Sequence, residues 1–535
     1  MKTPASKTLI FPNAGVSRRG MYRQQTRPFS TPWAMNVRSF DDIEDRERGG
    51  SRPGLTKVNA TDHGEITAMI PLASVDVNGN RNFSIIIIGG GVFYKLSGGT
   101  SQTIDANLLW PDGQEMLWPD GQNVTFAASV TSSSPIGDTD AYTACARGGN
   151  LFLADSVLRE YNPNTGIVAD VNASVGVVPT NEPLVACYRD RIVLGGQSHI
   201  VYCSRSTDPT DWDYGAEWEN QAKAVAFQLE DAGCIGEIPK AIIPWNDKAL
   251  VIACENSIWV LRGDPATGQV MNVSREIGII APEAWAMSPD GTMVFLSYDG
   301  VYIWQVASNS APQRFSEERM PRQLRNVSKS TNRITMAYDQ VGRGYHLYIT
   351  PDSGDGLHWF IDLTNRAFWP VRLQDDHQPY AAARDIEGGL AETYIGCKDG
   401  YIRKFDDSAA NDDGSNIESH VLIGPIRQSN NDVIDAMLAE IHGITGETSG
   451  SVTYRIVAGD SAEETVDTAK TGIDDALAGN TINGVAFSGT WTAGRNRVQR
   501  PRVRKPWFVL WISSTAEWAY EAVAIQSRIL GRHRI

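Results

Sequence analysis

Two clusters of ionisable side chains in this chain have the density that chemistry requires. Asp208, Asp211, Asp213, Glu217 and Glu219 crowd one loop. Carboxylates grouped this way serve as a calcium cage or as an acid–base pair on a glycosidic bond. Calcium takes about 6–8 oxygen ligands in a set geometry, and this spacing matches no calcium loop. A glycosidase pair meets only in space, so spacing leaves that chemistry open. The simplest account is a solvated acidic loop. The second cluster is basic: Arg495, Arg497, Arg500, Arg502, Arg504 and Lys505, followed by Arg528, Arg532, His533 and Arg534. Alternation of Arg with Val and Gln gives a strand one charged face. Such a face guards a sheet edge, meets phosphates, or meets an acidic protein surface.

Other reactive signatures do not occur in the sequence. It has no His-Glu-x-x-His helix, Walker A loop, dinucleotide glycine fingerprint or Gly-x-Ser-x-Gly elbow. Gly89-Gly90-Gly91 lacks the following helix that phosphate binding needs, so it reads as a hairpin turn. Ser288-Pro289-Asp290-Gly291-Thr292 is a propeller-type turn, but no Trp follows the Thr as in a sialidase Asp-box. Cys145, Cys187, Cys203, Cys234, Cys254 and Cys397 form no C-x-x-C pair and mostly sit in apolar runs. They read as reduced thiols of a protein assembled in a cytoplasm, with no zinc site. No catalytic residue, cofactor or metal is expected. The N-terminus has no apolar signal core, and no run approaches the ~20 apolar residues of a membrane span. A net charge of −15 argues against a surface that grips nucleic acid all over, while leaving room for a local basic patch.

The elements that must position these residues are strands. A unit of short apolar strand, turn, alternating strand, turn and third strand recurs seven times between about residues 68 and 407. Its clearest copy runs Ala284–Met287, Thr292–Ser297, Val301–Trp304. Second strands begin near 85, 151, 191, 249, 293, 345 and 393, close to the roughly 40–50 residues of a propeller blade. A lone hairpin is marginal, so the units must pack on one another. The fold expected is all-β: a β-propeller of about seven three- to four-stranded blades, a C-terminal β-sandwich-like domain and an extended N-terminal arm.

Residues 1–60 form the arm, with Phe11, Tyr22, Phe29, Trp33 and Phe40 as anchors for a neighbouring subunit. Residues 61–414 form the propeller, with insertions at 97–141, 205–233 and 305–333. The first insertion repeats Leu-Trp-Pro-Asp-Gly-Gln at 109–114 and 117–122. It reads as a small duplication in a loop, or as a tip presenting Trp110 and Trp118. The second carries Ser204 to Trp212, whose Ser, Asp and Pro suit a loop folded by Asx-turns. In the third, Ser316–Arg325 reads as a helix of a turn or two. Residues 415–535 form the final β-domain.

The run Pro32-Trp33-Ala34-Met35-Asn36-Val37-Arg38, leading to Arg48-Gly49-Gly50-Ser51-Arg52-Pro53-Gly54-Leu55, resembles the start of tail nozzle proteins of short-tailed bacteriophages (tail tubular protein B). Ser204–Trp212 is similar to a Ser-x-x-x-Asp-Pro-x-x-Trp stretch of phage virion propellers. The resemblance implies a homohexameric ring in the virion tail, assembled in the host cytoplasm, below the adaptor that follows the portal. Such a ring extends the DNA conduit, retains and releases the genome, and docks fibres or spikes. It catalyses nothing and inserts in no membrane. In such an assembly the basic cluster is expected at a subunit contact, with Trp33, Arg38, Arg52, Trp110, Trp118 and Trp212. The alternative is a propeller that binds or cleaves host glycans.

Overall fold

The computed structural model describes the chain apart from residues 1–4, 18–29, 42–45, 77, 91, 98–99, 104, 108–124, 128–142, 155–156, 216–219, 232–233, 309, 316–319, 386–390, 429–433 and 533–535. Seven antiparallel sheets succeed one another as the blades of a β-propeller. The innermost strands are Ile66–Val75, Thr143–Arg147, Leu184–Tyr188, Pro239–Trp245, Trp285–Met287, Asn332–Asp339 and Pro379–Asp385. The second strands fall at the seven positions read from the sequence. Their apolar runs have a physical cause. A second strand lies between two neighbouring blades, so both of its faces are covered. Every residue of Ala249–Cys254 is buried, which is why it reads as a continuous run rather than an alternation. Cys203, Cys254 and Cys397 are buried free thiols whose pKa burial pushes up to about 12.

Blade five shows how the turns are made. Asp290 accepts from the Thr292 amide at 3.2 Å and the Thr292 hydroxyl at 2.9 Å. Gly291 has φ +82°, and a Cβ there would stand 2.7 Å from the Trp245 indole nitrogen of blade four. Turn geometry and blade contact thus both demand glycine.

The ring is closed by the N-terminus. Blade seven takes three strands from Pro379–Asp385, Glu392–Cys397 and Ile402–Asp406. Its next strand is Gly54–Lys57, in register Asp406↔Gly54 and Arg403↔Lys57. Ala34–Met35 and Ala5–Leu9 join the C-terminal domain, pairing Ala34 with Val421 and Ala5 with Ser527. Phe11 is buried against Trp369 and Tyr520 at 5.9 and 5.7 Å. The expected arm therefore folds onto its own chain, and Gly54–Lys57 belongs to the propeller. The anchors Phe11, Trp33 and Phe40 pack on the same chain, while Tyr22 and Phe29 lie outside the described residues.

The C-terminal domain is a sandwich with an added layer. One sheet has the order Ala34–Met35, Ser419–Arg427, Trp507–Ser514, Val452–Gly459, Val485–Trp491. The other has Ala5–Leu9, Tyr520–Arg532, Ile434–Thr445. Val421, Tyr454, Ile456, Leu510 and Ile512 share a core with Leu438, Ile441, Val523 and Ile525 of the second sheet. The opposite face of the first sheet, Leu422, Val457, Val509 and Trp511, is covered by Val466, Ala469 and Ile473 of a helix, Ala462–Leu477. This helix was not expected. Ser461 caps it by accepting from the Glu464 amide at 3.1 Å, and Ser461-x-x-Glu464 is the sequence signal for it. Among the described residues no helix is long and apolar enough to cross a membrane.

The insertions also differ from expectation. Thr100–Thr103 is the fourth strand of blade one rather than part of a loop, and the Leu-Trp-Pro-Asp-Gly-Gln repeat lies outside the described residues. In the third insertion the described helical part is only the 3-10 turn Arg322–Leu324, which begins directly after Pro321.

The innermost strands enclose a cavity of about 360 Å³ lined by Met69, Val185, Ile242, Trp285 and Met336, with Glu283 and Arg384 among them. Glu283 is half-buried and lines this cavity. Burial pushes its carboxyl up to about 7, opposed by the charge of Arg333 and the hydroxyl of Thr335.

Two outcomes follow from this architecture. Glu283 holds its proton more tightly folded than unfolded, so stability should fall as pH rises from about 4.5 to 7. Glu283→Gln should remove up to about 3 kcal/mol of that fall, read as urea midpoints at pH 5 and 8. Equal slopes in both proteins would refute the assignment. Arg52 and Asp412 form a buried ion pair beside the closing strand, described below. Arg52→Ala should cost about 3–5 kcal/mol in the same assay.

Candidate functional site

Arg52 is 2% exposed. Its Nη1 and Nη2 donate to Asp412 at 2.9 and 2.5 Å, its Nε to the Asn36 side chain at 2.9 Å, and its remaining hydrogens to the carbonyls of Pro53 and Arg372 at 2.8 and 3.3 Å. All five donors of the guanidinium are thus used within the chain. Asn36, at φ +54°, accepts from the Arg372 amide at 2.8 Å and donates to the Glu418 carbonyl at 2.9 Å. Gly54 must be glycine because a Cβ would meet the Asn411 carbonyl at 2.2 Å. The segment from Asn36 to the Arg-Pro-Gly turn is therefore a clasp joining propeller, linker and sandwich.

Other sequence-predicted contact residues are also internal. Arg38 is buried, with its guanidinium carbon 4.0 Å from the centre of the Phe360 ring. Trp33 is half-buried and meets His420 edge-on at 5.9 Å. Trp212 is 1% exposed, donates to the Pro209 carbonyl at 3.0 Å and packs with Phe152, Leu158, Ile192 and Leu194. Its ring fills the junction between blades two and three, so it presents no surface to a partner. Arg38 and Arg52 both approach the Phe405 ring, at 5.4 and 5.9 Å. Trp110 and Trp118 lie outside the described residues.

The acidic loop spends its carboxylates on its own backbone. Asp208 accepts from the Thr210 amide and hydroxyl at 2.9 and 2.7 Å, bonds that hold its pKa below the usual range. Asp211 accepts from the Asp213 amide at 3.0 Å and pairs with Arg205 at 3.2 Å. Asx-turns fold the loop, as its composition suggested. Glu217 and Glu219 lie outside the described residues. Among the described residues no group of three or more His, Cys, Asp or Glu could hold a metal.

Among the described residues the basic cluster is the one predicted contact feature left open to solvent. Residues 495–503 run along Ile434–Thr445, bridged at Ile444 to Arg495, Ile441 to Gln499 and Leu438 to Val503. Four residues of the segment span three of the strand, so it is bulged rather than a regular ladder. Val503 is buried and anchors it. Arg495, Arg497, Arg500, Arg502 and Arg504 are all exposed. Arg500 pairs with Glu440 at 3.2 Å, although 70% of its side chain is open. Among the described residues the other four arginines make no ion pair. Val498 is 50% exposed within the strip, and Ile529 and Leu530 are 52% and 42% exposed on the same sheet. On the helix of this domain, Glu463, Asp467 and Asp474 are exposed along one face, with Lys470 between the last two.

Sequence reasoning missed Asp412 and Asn36 as partners of Arg52, the exposed helix carboxylates and Glu283. Ser461-x-x-Glu464 could have revealed the helix and hence these carboxylates. Nothing in the Asn411-Asp412-Asp413-Gly414 turn distinguishes its buried carboxylate from a solvated one.

No protein-family model and no curated protein matches the chain. Solved structures match 66% of it. They include U3-55K, at 11% identity, 99% of that chain covered and a TM-score of 0.36. The WD40 β-propeller domain of Doa1 is 10% identical, 96% covered, with a TM-score of 0.35. YCF48 from Cyanidioschyzon merolae is 12% identical, 98% covered, with a TM-score of 0.40. What this chain shares with them is the propeller fold alone.

Proposed function

We propose that this chain is a structural virion protein, a tail nozzle subunit of a short-tailed bacteriophage. In this reading it forms a homohexameric ring below the portal adaptor, carries fibres or spikes, retains and releases the genome, and catalyses no reaction. The observation that carries the reading is the exposed arginine strip on the C-terminal domain, mixed with exposed Val498, on a sheet that also exposes Ile529 and Leu530. Arginine with apolar neighbours is the composition of a protein interface core. The exposed Glu463, Asp467 and Asp474 offer a complement on the same domain. Different patches that fit each other make head-to-tail contacts, and these close into rings. The propeller's own cavity, about 360 Å³, has space for about a dozen waters and cannot pass DNA. A conduit must therefore lie between subunits.

Native mass spectrometry with negative-stain imaging tests this, with adaptor present and absent. The wild type should form rings of about six subunits with a central hole. Replacing Arg497, Arg500 and Arg502 together by Glu should weaken assembly at least about tenfold, and Glu463→Arg with Asp467→Arg should restore part of it. A wild-type protein that stays monomeric with adaptor present would sink the nozzle reading. Glycan binding and cleavage would then be screened.

A further inference from the structure

The innermost strands of blades two and three run side by side. Thr143 donates its hydroxyl to the Pro183 carbonyl and accepts from the Val185 amide, both at 2.8 Å. Covalent geometry then keeps the Cα atoms of Thr143 and Val185 within about 7 Å of each other. Further along, Arg147 donates to the Asp190 carbonyl at 3.2 Å. Successive side chains of a strand point to opposite faces. Ala144 packs toward blade one, while Cys145 packs with Phe152, Val185, Ile192 and Leu194 between blades two and three. On the neighbouring strand Leu184, Ala186 and Tyr188 face blade four, and Val185 faces blade two. Cys187, two residues past Val185, therefore shares its face, as Cys145 shares that of Thr143. The two thiols stand at one level of the same seam, close enough for the charge of Cys187 to act on Cys145. Both are half-buried, whereas Cys203, Cys254 and Cys397 are buried. A disulfide needs Cα atoms about 4.4–6.8 Å apart with their side chains facing, and the Thr143 bonds hold the strands near that spacing two residues away.

We propose that Cys145 and Cys187 form a dithiol site, which a low-molecular-weight disulfide oxidises to a bond stapling blade two to blade three. The Cys187 thiolate attacks one sulfur of oxidised glutathione, forming a mixed disulfide and expelling one glutathione thiolate. Cys145 then gives its proton to solvent, attacks the Cys187 sulfur and expels the second. Two protein thiols are oxidised, and one glutathione disulfide is reduced to two thiols. Burial pushes both protein thiols up, Cys187 to about 11 and Cys145 well above the usual range. Arg147, paired with Asp190 at 3.0 Å, opposes the shift at both, while Asp190 and Asp247 add to it at Cys187. Thiolate is therefore scarce at neutral pH, so the exchange should speed up about tenfold per pH unit from 7 to 9.

Incubation of the full chain with oxidised glutathione at pH 8.5, then alkylation and non-reducing peptide mapping by mass spectrometry, tests the proposal. The map should show one Cys145–Cys187 link, with Cys203, Cys254 and Cys397 recovered as thiols. In Cys145→Ser, Cys187 should stop as its glutathione adduct. The link closes a loop of about 40 residues in the unfolded chain, so the oxidised protein should have the higher urea midpoint. Wild-type Cys187 that stops as the adduct, pairs with another cysteine or stays reduced would overturn the site, and that reading requires no variant to fold. An oxidised protein whose urea midpoint equals or falls below that of the reduced protein would overturn the staple.

Discussion

The structure depends on closing a ring of sheets whose middle strands are buried on both faces. Ile66, Met69, Ile85 and Ile87 of blade one pack with Ala381, Ala383, Tyr394 and Ile402 of blade seven. Opening that seam would expose apolar surface on both blades at once. The seam is held because Gly54–Lys57, far away in sequence, pairs with Ile402–Asp406. The same N-terminal segment gives Ala34–Met35 to one sheet of the sandwich and Ala5–Leu9 to the other. Propeller and sandwich are thereby built from one shared strap. The clasp at Asn36, Arg52 and Asp412 sits where strap, linker and closing strand meet.

Buried arginines tie distant segments of this molecule together, with their donors satisfied to different degrees: Nε of Arg191 has no acceptor, whereas Arg52 uses all five. Arg191, wholly buried, donates to the carbonyls of Ser204, Gln221 and Lys223 and to Asp264. It therefore ties the second insertion to its blade. Arg403 meets Asp399 through two bonds, at 2.8 and 2.7 Å, and Asp413 at 3.0 Å, fixing the turns around the closing strand. Such pairs offset the desolvation of a buried charge only when every donor is placed. Arg52 meets that standard. The strip at Arg495–Arg504 remains hydrated, and Arg38 is buried with donors to spare.

How much could be read in advance follows from the same physics. The seven second strands were legible because burial on both faces forces an apolar run that no loop imitates. The sandwich strand Trp507–Ser514 was legible for the same reason, lying between a sheet and a helix. The helix itself was obscured: only Val466, Ala469 and Ile473 face inward, among Glu463, Glu464, Asp467, Asp474 and Asp475. Trp33, Arg38, Arg52 and Trp212 were expected at a subunit contact, whereas the fold packs them against their own chain. Residue type reveals that an aromatic or guanidinium needs a partner. It does not reveal whether that partner is in the same chain, because the matching edge lies hundreds of residues away.

The described parts of the strap are consumed in closing their own chain. Exchange of the strap would require opening the seam between blades one and seven and freeing Arg52 from all its acceptors. In the proposed ring, contacts between copies would come from surfaces the fold leaves exposed. A strip serving only to hold DNA would be expected to carry cations and polar donors that contact phosphates. This strip interleaves its arginines with exposed Val498, and the same sheet exposes Ile529 and Leu530. Phosphates make no use of such apolar area, whereas a protein surface does. The protein's net charge of −15 sharpens the point, since a basic strip on an acidic molecule finds its complement on any second copy. The composition of the strip therefore fits the proposed subunit contact better than a grip on DNA.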